Sequence, residues 1–384
     1  MIFIMMDVFI KYMCVYLLIN TLACQDIDYT DQNNDLVTLN DSIILLKEQV
    51  LQGQVINLDQ GFKLGPLTDF IKINDRIYFF EQKINNDCFG ALVDLQDGIV
   101  LHKIGSIGKG PFEIVSLFDF YKLRDSLYFF DYISQKLVVT QVEAILDTSF
   151  HISHENSREY RLKPSFPVDI LMFIDNKWVT KNYNFSKPDS SLVEVAPYSL
   201  KPKKYFGKLP EYEETQGDDR RLKLVENLVN ASVRPDGKKF VIAYKFSDLI
   251  EIFNADGNIQ KSIIGPRNYA PILSESTIRR FDAIPIVNKT WHSYSKVIAT
   301  DSCFYVGYIG KKEPPLSVYD GMDYIKEEYN TSSFSRIFKY DWDGNLMANY
   351  KLDKSISYFE MGAGKLIYAT SGYIDEGLYR FSLK

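Results

Sequence analysis

One hydrophobic pattern occurs twice near the start of the chain. Phe70-Ile71-Lys72-Ile73 and Ile77-Tyr78-Phe79-Phe80 flank the polar pair Asn74-Asp75; Phe120-Tyr121-Lys122-Leu123 and Leu127-Tyr128-Phe129-Phe130 flank Arg124-Asp125. Two short aromatic and β-branched runs around a polar pair predict a β-hairpin. Four looser copies follow: 171–183 turning at Asp175-Asn176, 231–244 at Pro235-Asp236-Gly237, 297–308 at Asp301-Ser302, and 358–370 at Gly362-Ala363-Gly364. Further strands are predicted over 91–100, 250–264 and 335–350, each with an Asp-Gly pair where a tight turn needs positive φ.

Six antiparallel units of about 50 to 65 residues cannot each bury an apolar face alone, so they must pack face to face around an axis. The pattern therefore predicts an all-β fold, a six-bladed β-propeller of four-stranded antiparallel blades over residues 37–384. Residues 36–58 are expected to give an outer strand to the last blade, tying the two ends of the ring together. Counting that segment as a blade of its own would make seven, but it is too short for four strands.

Ahead of the repeats, 1–23 has the layout of a secretion signal: Lys11, then Tyr12 to Ile19 (YMCVYLLI), then Asn20-Thr21-Leu22-Ala23-Cys24. Asp7, Lys11 and Asn20 interrupt the run of roughly 20 apolar residues that a membrane span requires. Leu22-Ala23-Cys24 resembles the lipobox of bacterial lipoproteins, in which the cysteine is lipidated and becomes the new N-terminus. A cleaved soluble signal and an uncleaved anchor are the other two readings of the segment. Residues 24–36 are polar and acidic and read as a solvated tether. An acidic flank behind a lipidated cysteine also resembles the export tag of outer-membrane lipoproteins of the Bacteroides group.

Composition adds exclusions. The chain has 384 residues, 46% apolar and 24% charged, with 26 Tyr and 26 Phe against 21 Gly, which removes disorder and collagen and favours aromatic strands. A net charge of −6 gives no footprint for nucleic acid, whose backbone is bound by clustered Lys and Arg. Of four cysteines, Cys14 lies in the signal and Cys24 at the lipobox. Cys88 and Cys303 fall in different repeats and are expected to be two buried thiols.

Ile104-Gly105-Ser106-Ile107-Gly108-Lys109-Gly110-Pro111-Phe112-Glu113 resembles the GxxGxGPxE motif of the six-bladed propeller lipoproteins of Bacteroides and relatives, a broad TolB-like and NHL-like group. Tyr340-Asp341-Trp342-Asp343-Gly344-Asn345 adds a second match of the same kind. The resemblance implies a structural role for Gly105, Gly108, Gly110, Pro111 and Glu113, which shape the connection out of the first blade.

Candidate chemistry is sparse. The glycines at 105 and 110 have phosphate-loop spacing, but Pro111 and Phe112 occupy the positions of the Lys and Ser/Thr that would hold phosphate and metal. Asp341, Asp343 and Asn345 imitate the start of a calcium loop, yet Leu346 and Leu352 replace its Gly and closing Glu, so a hairpin turn is expected. His151 and His154 are spaced to point apart on a strand, and no nucleophile elbow occurs. No catalytic residue, cofactor or metal ligand is assigned. Arg279, Arg280, Trp291, His292 and Tyr294 fall in the long connection before the fifth hairpin and form the candidate ligand-binding loop, suited to a glycan or peptide; Trp291 and Tyr294 equally suit packing between blades.

Two functions stay open. One is a lipid-anchored envelope propeller, monomeric, that binds a protein or glycan. The other is a metal-dependent envelope hydrolase, lactonase-like, or a lyase, with ligands dispersed over several blades in the central channel. Fold alone does not separate them.

Overall fold

The structure is a computed structural model that describes residues 35–38, 47–59, 64, 68–81, 88–131, 133–147, 149–161, 170–174, 177–182, 190–196, 201–208, 229–267, 291–312, 333–371 and 377–383. Leu36–Lys384 forms one compact unit. Cys24, Arg279, Arg280 and the turn expected at Asp175-Asn176 lie outside the described residues.

Three short strands come first: β1 (Asp35–Thr38), β2 (Glu48–Leu51) and β3 (Gln54–Ile56). Blade 1 is β4 (Phe70–Lys72), β5 (Ile77–Glu81), β6 (Gly90–Asp94) and β7 (Ile99–Ile104), each antiparallel to the next. Blade 2 is β8 (Leu117–Leu123), β9 (Ser126–Asp131), β10 (Lys136–Gln141) and β11 (Ser157–Arg161). Blade 3 is β12 (Ile170–Ile174), β13 (Lys177–Lys181), β14 (Ser190–Val195) and β15 (Pro202–Lys208). Blade 4 is β16 (Val229–Val233), β17 (Lys239–Tyr244), β18 (Leu249–Asn254) and β19 (Ile259–Ile264). Blade 5 begins with β20 (Trp291–Ala299), β21 (Cys303–Lys312) and β22 (Phe334–Asp341).

The 16-residue β23 (Leu346–Met361) then serves two blades. Its first half pairs with β22 as the outer strand of blade 5, and its second half pairs with β24 (Leu366–Ser371) as the inner strand of blade 6, which β25 (Leu378–Ser382) continues. No Gly or Pro interrupts 346–361, so the chain passes from one blade to the next as extended backbone.

Six apolar clusters occupy the six junctions between neighbouring blades. Phe79, Phe89 and Leu92 meet Phe120, Phe129 and Val138 between blades 1 and 2. Phe130 and Leu137 meet Phe173 and Trp178 between blades 2 and 3. Met172 and Val179 meet Phe240 and Ile242 between blades 3 and 4, and Val241 and Ile252 meet Tyr294 and Phe304 between blades 4 and 5. Tyr305 and Ile337 meet Phe359 and Ile367 between blades 5 and 6. Tyr358 and Tyr368 meet Phe70, Tyr78 and Phe80 between blades 6 and 1, and the ring closes.

Period-2 alternation explains the continuous apolar runs. In β17, Val241 and Ala243 face blade 5 while Phe240, Ile242 and Tyr244 face blade 3. A strand buried on both sides has no polar face to show, so it reads as uninterrupted hydrophobicity.

Residues 36–58 do more than the single outer strand expected of them. β3 pairs with β25 and completes blade 6, as anticipated. In addition, β2 runs parallel to β23 on blade 5, and β1 lies beside β19 on blade 4. The segment is a strap over the outer edges of three consecutive blades. β7, β11 and β15, which have no further strand beside them among the described residues, carry exposed Lys103, Arg158, Arg161, Lys203 and Lys204, charges that discourage an edge strand from recruiting a second sheet. Cys88 and Cys303 are buried thiols in blades 1 and 5.

Candidate functional site

The glycine motif forms the crossing from β7 to β8. Gly105 has φ +67°, and a Cβ there would stand 1.8 Å from the Phe89 ring. Past it the chain turns back on itself: Ile114 N–H donates to Ser106 (3.0 Å) and Gly108 N–H to Ile114 (3.2 Å). The Glu113 carboxylate sits inside this turn and accepts from Gly110 N–H at 2.7 Å. Cβ atoms at Gly108 and Gly110 would meet that carboxylate at 2.1 and 2.8 Å, so glycine makes room for Glu113. The anion in this turn is thus the chain's own side chain. Two residues that sequence reasoning missed pin the loop to blade 2. Buried Lys136 donates to the carbonyls of Gly110 (3.0 Å) and Glu113, and Glu159 accepts from Phe112 N–H at 2.7 Å. A lysine opening an apolar strand, KLVVTQ, was the available signal.

The candidate ligand-binding loop needs correction. Trp291, His292 and Tyr294 belong to β20, the first strand of blade 5, and not to the connection before it. Tyr294 is fully buried between blades 4 and 5, with its ring 5.5 Å from that of Tyr308, and His292 is buried edge-on to Phe246 at 5.0 Å. Trp291 alone of the three reaches the surface, flanked by Arg267 and Lys312 at 4.6 and 5.2 Å from its ring. His151 and His154 are exposed ahead of β11, and His154 lies edge-on to Phe112. The calcium-like turn is a hairpin turn in which the Asp341 carboxylate accepts from Asp343 and Asn345 N–H at 3.0 and 2.8 Å.

The ring brings together residues that the sequence holds far apart. The first strand of each blade faces the axis: β4 lies beside β8, β12 beside β16, β16 beside β20, β20 beside β23, and β23 beside β4. On these strands stand Asp119 (β8, blade 2), Lys296 (β20, blade 5), and Tyr358 and Glu360 (β23, blade 6), with Asp69 just ahead of β4 in blade 1. Blades 2 and 5 are opposite in a six-membered ring, yet Lys296 acts electrostatically on the Asp119 carboxyl.

The electrostatics are those of ionisable groups removed from bulk water while partly accessible. Burial pushes the Asp119 carboxyl up to about 7, against the pull of the Tyr121 hydroxyl that donates to it, the charge of Lys296, and the Phe120 N–H at 2.9 Å; Asp69 adds to the rise. Burial also raises Glu360, opposed by Lys296, by the Met361 N–H at 2.9 Å and by Lys72. The Lys296 ammonium rests on the Tyr358 ring, 4.1 Å from its centroid. Among the described residues no three His, Cys, Asp or Glu are placed to hold a metal ion. A further buried acid, Glu251, accepts from the Tyr244 hydroxyl at 2.7 Å and is pushed up to about 7 by burial, but it lies within blade 4 away from the inner strand.

The family model described as TolB-like 6-blade propeller-like matches residues 48–362. The chain belongs to this TolB-like family. Two solved structures share the fold of this TolB-like chain with a TM-score of 0.53 each. One, from Bacteroides fragilis NCTC 9343, is 14% identical over 90% of this chain and 98% of its own. The other, a DUF4221 family member from Bacteroides vulgatus, is 9% identical over 87% and 96%. No curated protein matches the sequence.

Proposed function

We propose that this TolB-like propeller is an envelope binding module, held to the membrane by a lipid on Cys24, that recognises a protein or glycan ligand through the charged inner strands of its channel. The observation that carries the reading is the convergence of Asp69, Asp119, Lys296, Tyr358 and Glu360 from four blades. Ionisable groups in a partly dehydrated cleft are costly to the fold, and such groups gather where a ligand repays them. Carboxyl, ammonium and phenol together supply both donors and acceptors for sugar hydroxyls or a peptide chain.

The test is binding of the purified full chain to an array of envelope glycans and peptides, with Asp119→Asn beside it. Wild-type protein should bind at least one probe, and Asp119→Asn should weaken that binding about 10-fold with an unchanged melting temperature. Equal binding by the variant would remove the channel from the reading. A second reading, hydrolysis or lysis in the same channel, is favoured by Asp119 itself, since a carboxyl held near 7 suits a general acid or base. Turnover of a bound probe, lost in Asp119→Asn, would select it. Anchoring has its own check: Cys24→Ser should move the protein from the membrane fraction to the soluble one, and a variant that still sediments with membranes would contradict a lipid on Cys24.

A further inference from the structure

Resting on the channel reading above, we propose that the ligand presents a primary ammonium group, which seats on the Tyr358 ring between Asp119 and Glu360 in the place that the chain's own Lys296 now fills.

The arrangement already holds one such group. Lys296 keeps its ammonium over an aromatic face, a preferred station for a cation. It closes no ion pair among the described residues, although it acts on both Asp119 and Glu360. The acids are therefore near enough to favour a cation and are not used up by this one. The charge balance leans the same way. The groups that bear on the Tyr358–Glu360 region are Asp69 ahead of β4, Glu81 on β5, Asp119 on β8 and Glu360 on β23, against Lys72 on β4 and Lys296 on β20. Among the described residues, carboxyls outnumber ammonium groups in this region.

A second observation points the same way. The Tyr78 hydroxyl on β5 is fully buried, has no hydrogen-bond partner among the described residues, and lies within electrostatic reach of Glu360. A buried phenol without a partner among the described residues keeps both a donor and an acceptor for a polar ligand group that reaches it. Lys296 itself is half-buried on a flexible four-carbon stem, so it can leave the ring face without disturbing the sheet. Its own chemistry defines its competitor.

The experiment titrates 1,5-diaminopentane and n-butylammonium into the purified full chain by calorimetry, in wild type, Lys296→Met and Lys296→Met/Asp119→Asn. Wild type should bind weakly, Lys296→Met at least about 10-fold more tightly because the tethered competitor is gone, and the double variant should lose that gain. Affinity of Lys296→Met should rise from pH 6 to pH 8, since a cation favours the ionised Asp119 and at lower pH that carboxyl carries a proton. Lys296→Gln serves as a second variant if the methionine lowers the melting temperature. Binding no tighter in Lys296→Met and Lys296→Gln than in wild type, or equal binding by the double variant, overturns the inference. A glycan or peptide that binds in an Asp119-dependent way while both amines fail would sink this inference and leave the channel reading standing; failure of every probe would sink both.

Discussion

Phe129→Ala is expected to destabilise the propeller by about 4 kcal/mol, read as a lowered denaturation midpoint with little change in slope. Phe129 is fully buried on β9 and faces blade 1, where its ring centroid lies 5.1 Å from that of Phe79 and 5.2 Å from that of Phe89, both tilted toward edge-on geometry. Truncation removes the transfer free energy of a benzyl group, leaves a cavity between two sheets that cannot collapse independently, and deletes two aromatic contacts. Phe129→Leu refills most of that volume and should cost roughly 1.5 kcal/mol. A loss below about 1 kcal/mol for the alanine variant would mean that blades 1 and 2 do not meet through this ring.

Gly105→Ala is expected to cost about 3 kcal/mol, most of it from one contact. The residue combines φ +67° with a Cβ position 1.8 Å from Phe89, and Phe89 is itself buried against Phe129. The methyl group must either displace that ring or force the crossing out of its turn. Gly364→Ala separates the two contributions, because Gly364 has φ +65° with nothing within 4 Å of its Cβ position. That variant should lose only the backbone part, about 1 kcal/mol. Equal losses at both sites, measured by thermal and chemical denaturation, would show that Phe89 yields freely.

The hairpins were legible because their central strands bury both faces, so that β5 and β9 stand out as aromatic runs bounded by polar pairs. In the structure Asn74 shows why the first pair turns: its side chain accepts from Arg76 and Ile77 N–H at 2.9 and 2.8 Å. The strap was legible only at β3. DLVT and EQVL are too short for a pattern to reveal partners, and the parallel pairing of β2 with β23 has no turn chemistry to announce it. Trp291 to Tyr294 looked like connection because β20 shifts register between His292 and Tyr294 and again between Tyr294 and Val297, which breaks the alternation that marks a strand. The channel cluster left no local trace. Asp119, Lys296 and Glu360 are scattered over three separate strands, and only closure of the ring brings them together.

That closure also imposes an order of events. Tyr379 pairs with Val55 and Arg380 with Gln54, so the last blade is built from strands that lie more than three hundred residues apart in the chain. Blades 1 to 4 are each made of consecutive strands and can form as the chain emerges, whereas blade 6 must wait for its most distant partner. Until blades 6 and 1 meet, the apolar faces of Phe70 and Tyr78 on one side and Tyr358 and Tyr368 on the other remain in water, exposed to wrong partners.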